Sequence, residues 1–370
     1  MSIETTMTRA WQRQAAWLWL LLPVSWLYGF ITMLRWQAYK IGLLSSYRAP
    51  IPVMVIGNIT VGGSGKTPLI IELVTYLQKR NIKVGVISRG YGGDSSQMPA
   101  LVYADSLPSI VGDEPSLIVN TTGAAMTVCP NRKQAITTLL NAYPDLQLII
   151  ADDGLQHYAL QRDIEWIVVD ASRGFGNQQL LPTGFLREPM SRLQGANVVY
   201  HEKANRTTTD NHNQAQAKRL TMHLQADKLQ LLWSSAAEID DSTVAAKMPM
   251  SPTPNSRVHA VSGIGYPQRF FDTLLSLGFD VIGHAYPDHY DFSLHELLQY
   301  TEQPIIVTSK DAVKIRALLW DAASHQPLSK EYQELVSRLW VLPVTAVLSD
   351  SCYESLQQQL KALNIDINNG

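Results

Sequence analysis

The sequence predicts an α/β protein: a mainly parallel sheet lobe around a phosphate-binding loop, a second, smaller α/β lobe, and an N-terminal membrane-associated helix. Three observations carry this reading. After Pro50 and Pro52, continuous β-branched runs alternate with amphipathic segments, the pattern of buried parallel strands covered by helices. A glycine-rich string between Val53 and Pro68 joins an apolar run to a helical one. No charged residue occurs from Gln14 to Leu34.

At the amino terminus, the 21 uncharged residues from Gln14 to Leu34 would form a helix of about 31 Å, close to the roughly 30 Å of a bilayer's hydrocarbon core. Trp11, Trp17, Trp19, Trp26 and Trp36 are five of the nine tryptophans. Trp19, Trp26 and Tyr28 fall inside the run, whereas indoles favour headgroup levels. Arg9 and Arg13 precede it and Arg35, Lys40 and Arg48 follow, so charge gives a span little orientation. The pattern favours an interfacial helix over a full crossing, with a kink or break expected at Pro23 and Gly29. A cleaved secretory signal fits less well, because no small-residue cleavage site closely follows the run; a buried core helix fits the tryptophan and arginine flanks poorly.

Composition narrows the classes further. Charged residues are 17% of the chain, below the roughly 25% of an average soluble domain, which also points toward a membrane surface. Thirty lysines and arginines stand against 32 acids, a net charge of -2, so no general basic field recommends nucleic acid. Cys129 and Cys352 are the only cysteines, too few for a disulfide framework and without zinc-site spacing. Nothing in the sequence points to a protein partner.

Val53 to Ile56, Val84 to Ser88, Leu148 to Ala151 and Ile164 to Asp170 read as buried strands, with helices over Thr67 to Lys79 and Arg132 to Ala142. Further strand candidates are Leu229 to Trp233, Val258 to Ser262, Pro304 to Ser309 and Leu339 to Leu342. Lys203 to Arg219 is polar, and Met248 to Pro254 has the prolines of a linker. The expected organisation is a membrane segment over 1–49, a phosphate-loop lobe over 50–225 and a smaller α/β lobe over 226–370. The boundary between the lobes falls somewhere between about 200 and 257.

The loop itself is the most informative string. Thr60, Val61, Gly62, Gly63, Ser64, Gly65, Lys66 and Thr67 follow the first strand. The glycines let backbone N–H groups curl around an anion, Lys66 offers a positive charge to β and γ phosphates, and Thr67 can ligate magnesium. The next helix points its positive dipole end at the phosphate. Thr60 replaces the first glycine of the strict motif, but the turn and the Lys66-Thr67 pair remain, so the lobe is read as P-loop NTPase-like.

Such a loop does not separate kinase, GTPase and ATPase; an acidic motif must hold the metal. Asp152 and Asp153 end an apolar strand, where a carboxylate would face the crevice at the sheet's carboxyl edge. Asp113 and Glu114 lie in a turn stiffened by Pro115, and Asp288-His289-Tyr290 offers an imidazole that could pair with such a carboxylate. Thr308-Ser-Lys-Asp311 has the wrong spacing for reading guanine, and Val61 stands where membrane-cycling ATPases carry an extra lysine.

Taken in order, Asn58-Ile-Thr-Val-Gly-Gly-Ser-Gly-Lys-Thr-Pro68, Arg89-Gly-Tyr-Gly-Gly93, Gly112-Asp-Glu-Pro115, Asp152-Asp-Gly-Leu-Gln-His157, Gly174-Phe-Gly-Asn177, Leu181-Pro-Thr-Gly-Phe-Leu-Arg-Glu-Pro189 and Thr308-Ser-Lys-Asp-Ala-Val-Lys314 form a series that closely resembles the tetraacyldisaccharide 4'-kinases. The resemblance runs to about residue 315. It implies transfer of the ATP γ-phosphate to the 4'-hydroxyl of an acylated glucosamine disaccharide 1-phosphate, a lipid A precursor, at the cytoplasmic face of the bacterial inner membrane, with Mg2+ and membrane lipid as companions. It further implies that Lys66 and the loop hold ATP, and that Thr67 binds magnesium with Asp152, Asp153 or Glu114. Asp113 becomes the general base, poised by His289 when the lobes close, and Arg89, Arg187, Lys310 and Lys314 become phosphate contacts. Glu188 and His157 lie in matched strings without a definite role. Thr183 and Phe185 depart from the smaller or aliphatic residues expected there. The rival class, a nucleotide-switched membrane regulator, would hydrolyse ATP without a lipid acceptor.

Overall fold

A computed structural model of the chain describes residues 3–203, 219–233, 250–325 and 327–366. Most of the polar stretch from Lys203 to Arg219 lies outside the described residues, as do Met248 and Pro249 of the expected linker.

The chain opens with α1 (Ile3–Gln12), a 3-10 turn over Ala16–Leu21 and α2 (Leu22–Lys40). Ala16–Lys40 is long and apolar enough to cross a membrane, with a mean hydropathy of 1.6 and 11% of it buried. Trp19 and Trp26 are largely exposed. The break expected at Pro23 or Gly29 does not occur within α2. Pro23 sits in the first turn, where its missing N–H costs nothing. Gly29 lets the helix approach Leu180, whose Cδ1 would lie 2.8 Å from an added Cβ.

The sheet lobe follows with β1 (Val53–Gly57), α3 (Lys66–Gln78), β2 (Val84–Ser88), β3 (Ala100–Val102), α4 (Pro108–Val111), α5 (Asp113–Thr122), β4 (Ala125–Val128), α6 (Arg132–Ala142), β5 (Leu148–Asp152), β6 (Ile164–Asp170), β7 (Asn197–Glu202) and β8 (Leu220–Ala226). Next come β9 (Gln230–Leu231), β10 (Arg257–Ser262), α7 (Pro267–Ser276), β11 (Asp280–Ala285), α8 (Leu294–Leu297), β12 (Ile305–Thr308), α9 (Ser309–His325), α10 (Lys330–Arg338), β13 (Leu339–Leu342), β14 (Val344–Leu348) and α11 (Asp350–Ala362). The four strand runs expected in the first lobe all form, as do helices within a residue of the expected α3 and α6.

Nine strands make one sheet in the order β14-β8-β7-β6-β1-β5-β2-β4-β3, and five make another, β11-β10-β12-β13-β9. In the first, only the edge pairs β3–β4 and β14–β8 are antiparallel. β1 lies between β5 and β6, with Val55 in register with Ala151 and Glu165. The loops after β1, β5 and β6 therefore converge at one carboxyl edge. Leu69, Ile70, Leu73 and Leu77 of α3 pack with Met54 and Ile56 on one face of the sheet, and Ile136 and Leu139 of α6 pack with Val53 and Val55 on the other. At about 1.5–3 kcal/mol for each fully buried side chain, this packing anchors the helix that begins at the loop.

Within the range 226–370, the two units interleave. β14 pairs antiparallel with β8, and α11 sets Leu356 and Leu360 into the first sheet's core. The chain thus leaves the first sheet after β8, builds the second around β10 and β12, and returns.

Candidate active site

The turn after β1 is shaped by two glycines with positive φ, Gly62 at 95° and Gly65 at 94°, which an L side chain would strain. Buried Asn58 donates from Nδ2 to the Gly62 carbonyl at 3.1 Å and to Ser64 Oγ at 3.3 Å, closing the turn from within. Below it runs a strap, residues 180–188. Val61 N donates to Phe185 O at 2.9 Å, Arg187 N donates to Ile59 O at 2.7 Å, and Thr60 bridges Leu186.

Lys66 and Thr67 open α3. Lys66 Nζ lies 3.3 Å from Asp153 Oδ1, and Arg187 Nη1 reaches Asp153 Oδ2 at 3.1 Å. The two neighbouring acids differ sharply. Burial opposes the charge of Asp153, but Lys66 and Arg187 outweigh it and hold the carboxyl down at about 2. Asp152 is pushed up to about 7 by burial and by the negative charge of Glu114. Asp152 Oδ2 accepts from Ser88 Oγ at 3.0 Å, while Oδ1 is buried without a partner. A cation between Asp152 and Glu114 would relieve both penalties. Among the described residues no three His, Cys, Asp or Glu side chains form a complete ion cage. Magnesium is held by one or two carboxylates together with substrate phosphates and water, a demand that Asp152 and Glu114 can meet.

The second cluster joins the two sheets. Gly112, with φ 95°, turns the chain into α5 and buries Asp113 at its start. His289, from the loop after β11, places Nδ1 3.0 Å from Asp113 Oδ2. The carboxylate can only accept, so Nδ1 carries the proton, and Nε2 faces Lys310 Nζ at 3.2 Å. Lys310 also reaches Glu114 at 3.2 Å and Asp288 at 3.3 Å, and Lys314 Nζ lies 3.7 Å from Asp113. Burial disfavours the Asp113 charge, yet the His289 bond and the two lysines keep its carboxyl below the ordinary range. For His289, burial works against the imidazolium, while the bond to Asp113 raises its affinity for a proton. Glu114 touches this cluster through Lys310 and the first through its field on Asp152.

Of the sequence candidates, Lys66, Asp153 and Arg187 gather on one side and Asp113, Glu114, His289, Lys310 and Lys314 on the other. Thr67 starts α3 beside the first group. Arg89 is exposed past the end of β2 and makes no ion pair among the described residues. Glu188 has a structural explanation: buried, it accepts from Gln156 Nε2 at 2.7 Å and Arg192 Nε at 3.1 Å, and Gln156 also holds Asn58 O at 3.1 Å. His157 is held neutral, down at about 4, by burial and by Arg132. Thr183 and Phe185 have partners too. Thr183 bonds Ser25, and the Phe185 ring lies 4.3 Å from the Arg173 guanidinium.

Sequence reasoning missed a third group. Arg269 of α7 grips Asp170 Oδ2 at 2.6 Å and lies 3.2 Å from His201 Nδ1, which is 3.1 Å from Ser64 O. Arg173 Nη1 donates to Val61 O at 2.5 Å. Asp170 and His201 stand at the carboxyl edge, where β6 and β7 end or nearly end; the expected strand Ile164 to Asp170 carried that positional signal for Asp170, whereas no strand was expected around His201.

Comparisons with known proteins identify the family. The LpxK family model, described as Tetraacyldisaccharide-1-P 4'-kinase, matches residues 17–361. A Psychrobacter cryohalolentis protein named Tetraacyldisaccharide 4'-kinase is 74% identical over 370 residues, 99% of each chain. One of the same name from Tolumonas auensis is 40% identical over 353 residues, 95% of this chain and 96% of the other. A crystal structure of LpxK from Aquifex aeolicus, described as an "apo" form in complex with ATP, covers 94% of this chain and 99% of its own with a TM-score of 0.65 at 24% identity, and so shares the fold. A match of such length and identity settles the lineage: the chain belongs to the tetraacyldisaccharide 4'-kinase family.

Proposed function

We propose that the chain transfers the γ-phosphate of ATP to the 4'-hydroxyl of a tetraacyldisaccharide 1-phosphate, the reaction its family is named for. The observation that carries the mechanism is the buried Asp113 carboxylate, bonded to His289 and flanked by two lysines, at the seam between the two sheets. In the loose transition state of phosphoryl transfer, the protein chiefly aligns donor and acceptor and neutralises charge. Lys66 and the loop N–H groups hold the β and γ phosphates. Asp113 accepts the acceptor hydroxyl's proton late, so a low carboxylate pKa suffices, and His289 fixes which oxygen lone pair is free. Thr67, Asp152 and Glu114 would hold Mg2+, which when bound neutralises developing phosphate charge. Asp153, already committed to Lys66 and Arg187, orients the lysine. Lys310 and Lys314 supply further positive charge near the acceptor, and Arg89 is free to meet a phosphate of the lipid.

The substrate's acyl chains keep it in a bilayer, so the active site must work at the inner membrane's cytoplasmic face. The first helices suit that place. Trp11, Ser25 and Tyr28 bond the strap, while Trp19, Trp26, Phe30 and Ile31 are exposed. A helix gripped by polar backbone along this length lies in the interface rather than crossing the bilayer.

Incubation with γ-labelled ATP and the acylated disaccharide 1-phosphate tests the reading. Label in the glycolipid supports it; label released only as inorganic phosphate would favour the nucleotide-switched regulator.

A further inference from the structure

One short segment touches both the amino-terminal helix and the phosphate loop. On the helix side, Trp11 Nε1 donates to Pro182 O at 2.9 Å and Tyr28 Oη to Arg187 O at 3.0 Å. Ser25 Oγ accepts from Thr183 N at 3.0 Å and lies within donating distance of Leu180 O at 3.0 Å and Thr183 Oγ1 at 2.8 Å. On the loop side, Phe185 O takes the Val61 N–H and Arg187 N donates to Ile59 O. The Arg187 side chain continues to Asp153, and Asp153 to Lys66.

Ser25 is out of character for its helix. It is 2% exposed in a segment only 11% buried. A buried hydroxyl pulled from its partners bears its full desolvation cost, so α2 does not tilt independently of the strap. The helix's opposite face presents Trp26 and Phe30, the side chains whose burial in lipid would set that tilt. Only Gly184 separates Thr183 from Phe185, whose carbonyl holds Val61.

We propose that Ser25 and Thr183 are positioning residues that couple the seating of α2 in a bilayer to the geometry of the phosphate loop, so that membrane binding and MgATP binding strengthen each other. The inference rests on the kinase reading of the loop. Coupling of two binding events is reciprocal. Vesicles must therefore tighten MgATP binding by the same factor by which MgATP tightens vesicle binding, and a merely structural role for the pair would leave that factor unchanged when either hydroxyl is removed.

The test uses the full chain and vesicles of equimolar phosphatidylethanolamine and phosphatidylglycerol, without acceptor lipid. MgATP affinity is measured with and without vesicles, and vesicle affinity with and without MgATP. For the native chain both ratios should be equal and about fivefold or more. Ser25→Ala and Thr183→Val should still sediment with vesicles and bind MgATP as the vesicle-free native chain does, with both ratios falling to about one. Thr183→Ser, which keeps the hydroxyl, should retain the native ratio and supports the proposal even where Ser25→Ala folds poorly. A native ratio of one with ordinary MgATP binding, or an unchanged ratio in Thr183→Val, overturns the coupling alone. Failure of the native chain to bind MgATP in either setting overturns the kinase reading and the coupling with it.

Discussion

The two halves of the active site are built in opposite ways. The phosphate-loop half comes from one sheet: Lys66, Asp153 and Arg187 meet where β1, β5 and the strap run side by side. The acid-histidine half is assembled across two sheets, with Asp113 and His289 separated by 176 residues in sequence. The first exists as soon as the first sheet folds. The second exists only while α5 and α9 are in contact, and its central carboxylate is more deeply buried: the Asp113 side chain is 4% exposed and that of Asp153 37%. A nucleotide grip can thus be permanent while the chemistry is conditional on two units meeting.

If the halves divide labour in this way, they should separate by mutation. Asp113→Asn should lower turnover by about 10³, within the range for loss of a general base, in a steady-state transfer assay. Lys66→Ala should lower it by on the order of 10², the scale for losing one preorganised charge-stabilising donor. Near-normal turnover in either variant would erase that variant's half of the comparison.

Stability should show the same dependence on position. Lys310→Met leaves Asp113 and Glu114 short of a buried partner and should cost about 3 kcal/mol, seen as a lower denaturant midpoint. Arg187→Met, beside the more solvated Asp153, should cost about 1 kcal/mol or less. Equal losses would mean that the two halves are equally committed.

The effect confined to acid pH belongs to the seam. His201 is held down at about 4 by burial and by Arg269, from an ordinary value of 6.5. Between those values the unfolded chain binds the proton and the folded one does not, so His201 lowers stability progressively as pH falls from 6.5 toward 4. His201→Gln should flatten the pH dependence of the unfolding free energy across that window. An unchanged slope would show that acid destabilisation arises elsewhere, for instance at His157.

What was legible in the sequence follows the same division. The first sheet's central strands, α3 and the loop were readable because buried parallel strands are continuous apolar runs and the glycine turn is local. Asp152 and Asp153 were recognised as a pair, but not as opposites: which of them takes Lys66 depends on the strap, which arrives from about thirty residues away. Asp113 and His289 were visible as separate strings, and only tertiary contact joins them. The return of β14 and α11 to the first sheet was illegible, since an edge strand such as Val344–Leu348 is short and half exposed. Arg269 and His201 carry no motif at all, and their pairing is a product of the second unit's approach.

Titration calorimetry of MgATP into the native chain, Lys66→Ala and Asp113→Asn tests the central claim, that the glycine turn grips a triphosphate independently of the base. The account predicts binding by the native chain, the same affinity within about threefold for Asp113→Asn, and a loss of about 10² for Lys66→Ala, the scale of one lost bond to a charged group. A native chain without affinity for MgATP, or an Asp113→Asn variant that loses it while Lys66→Ala keeps it, would contradict the account.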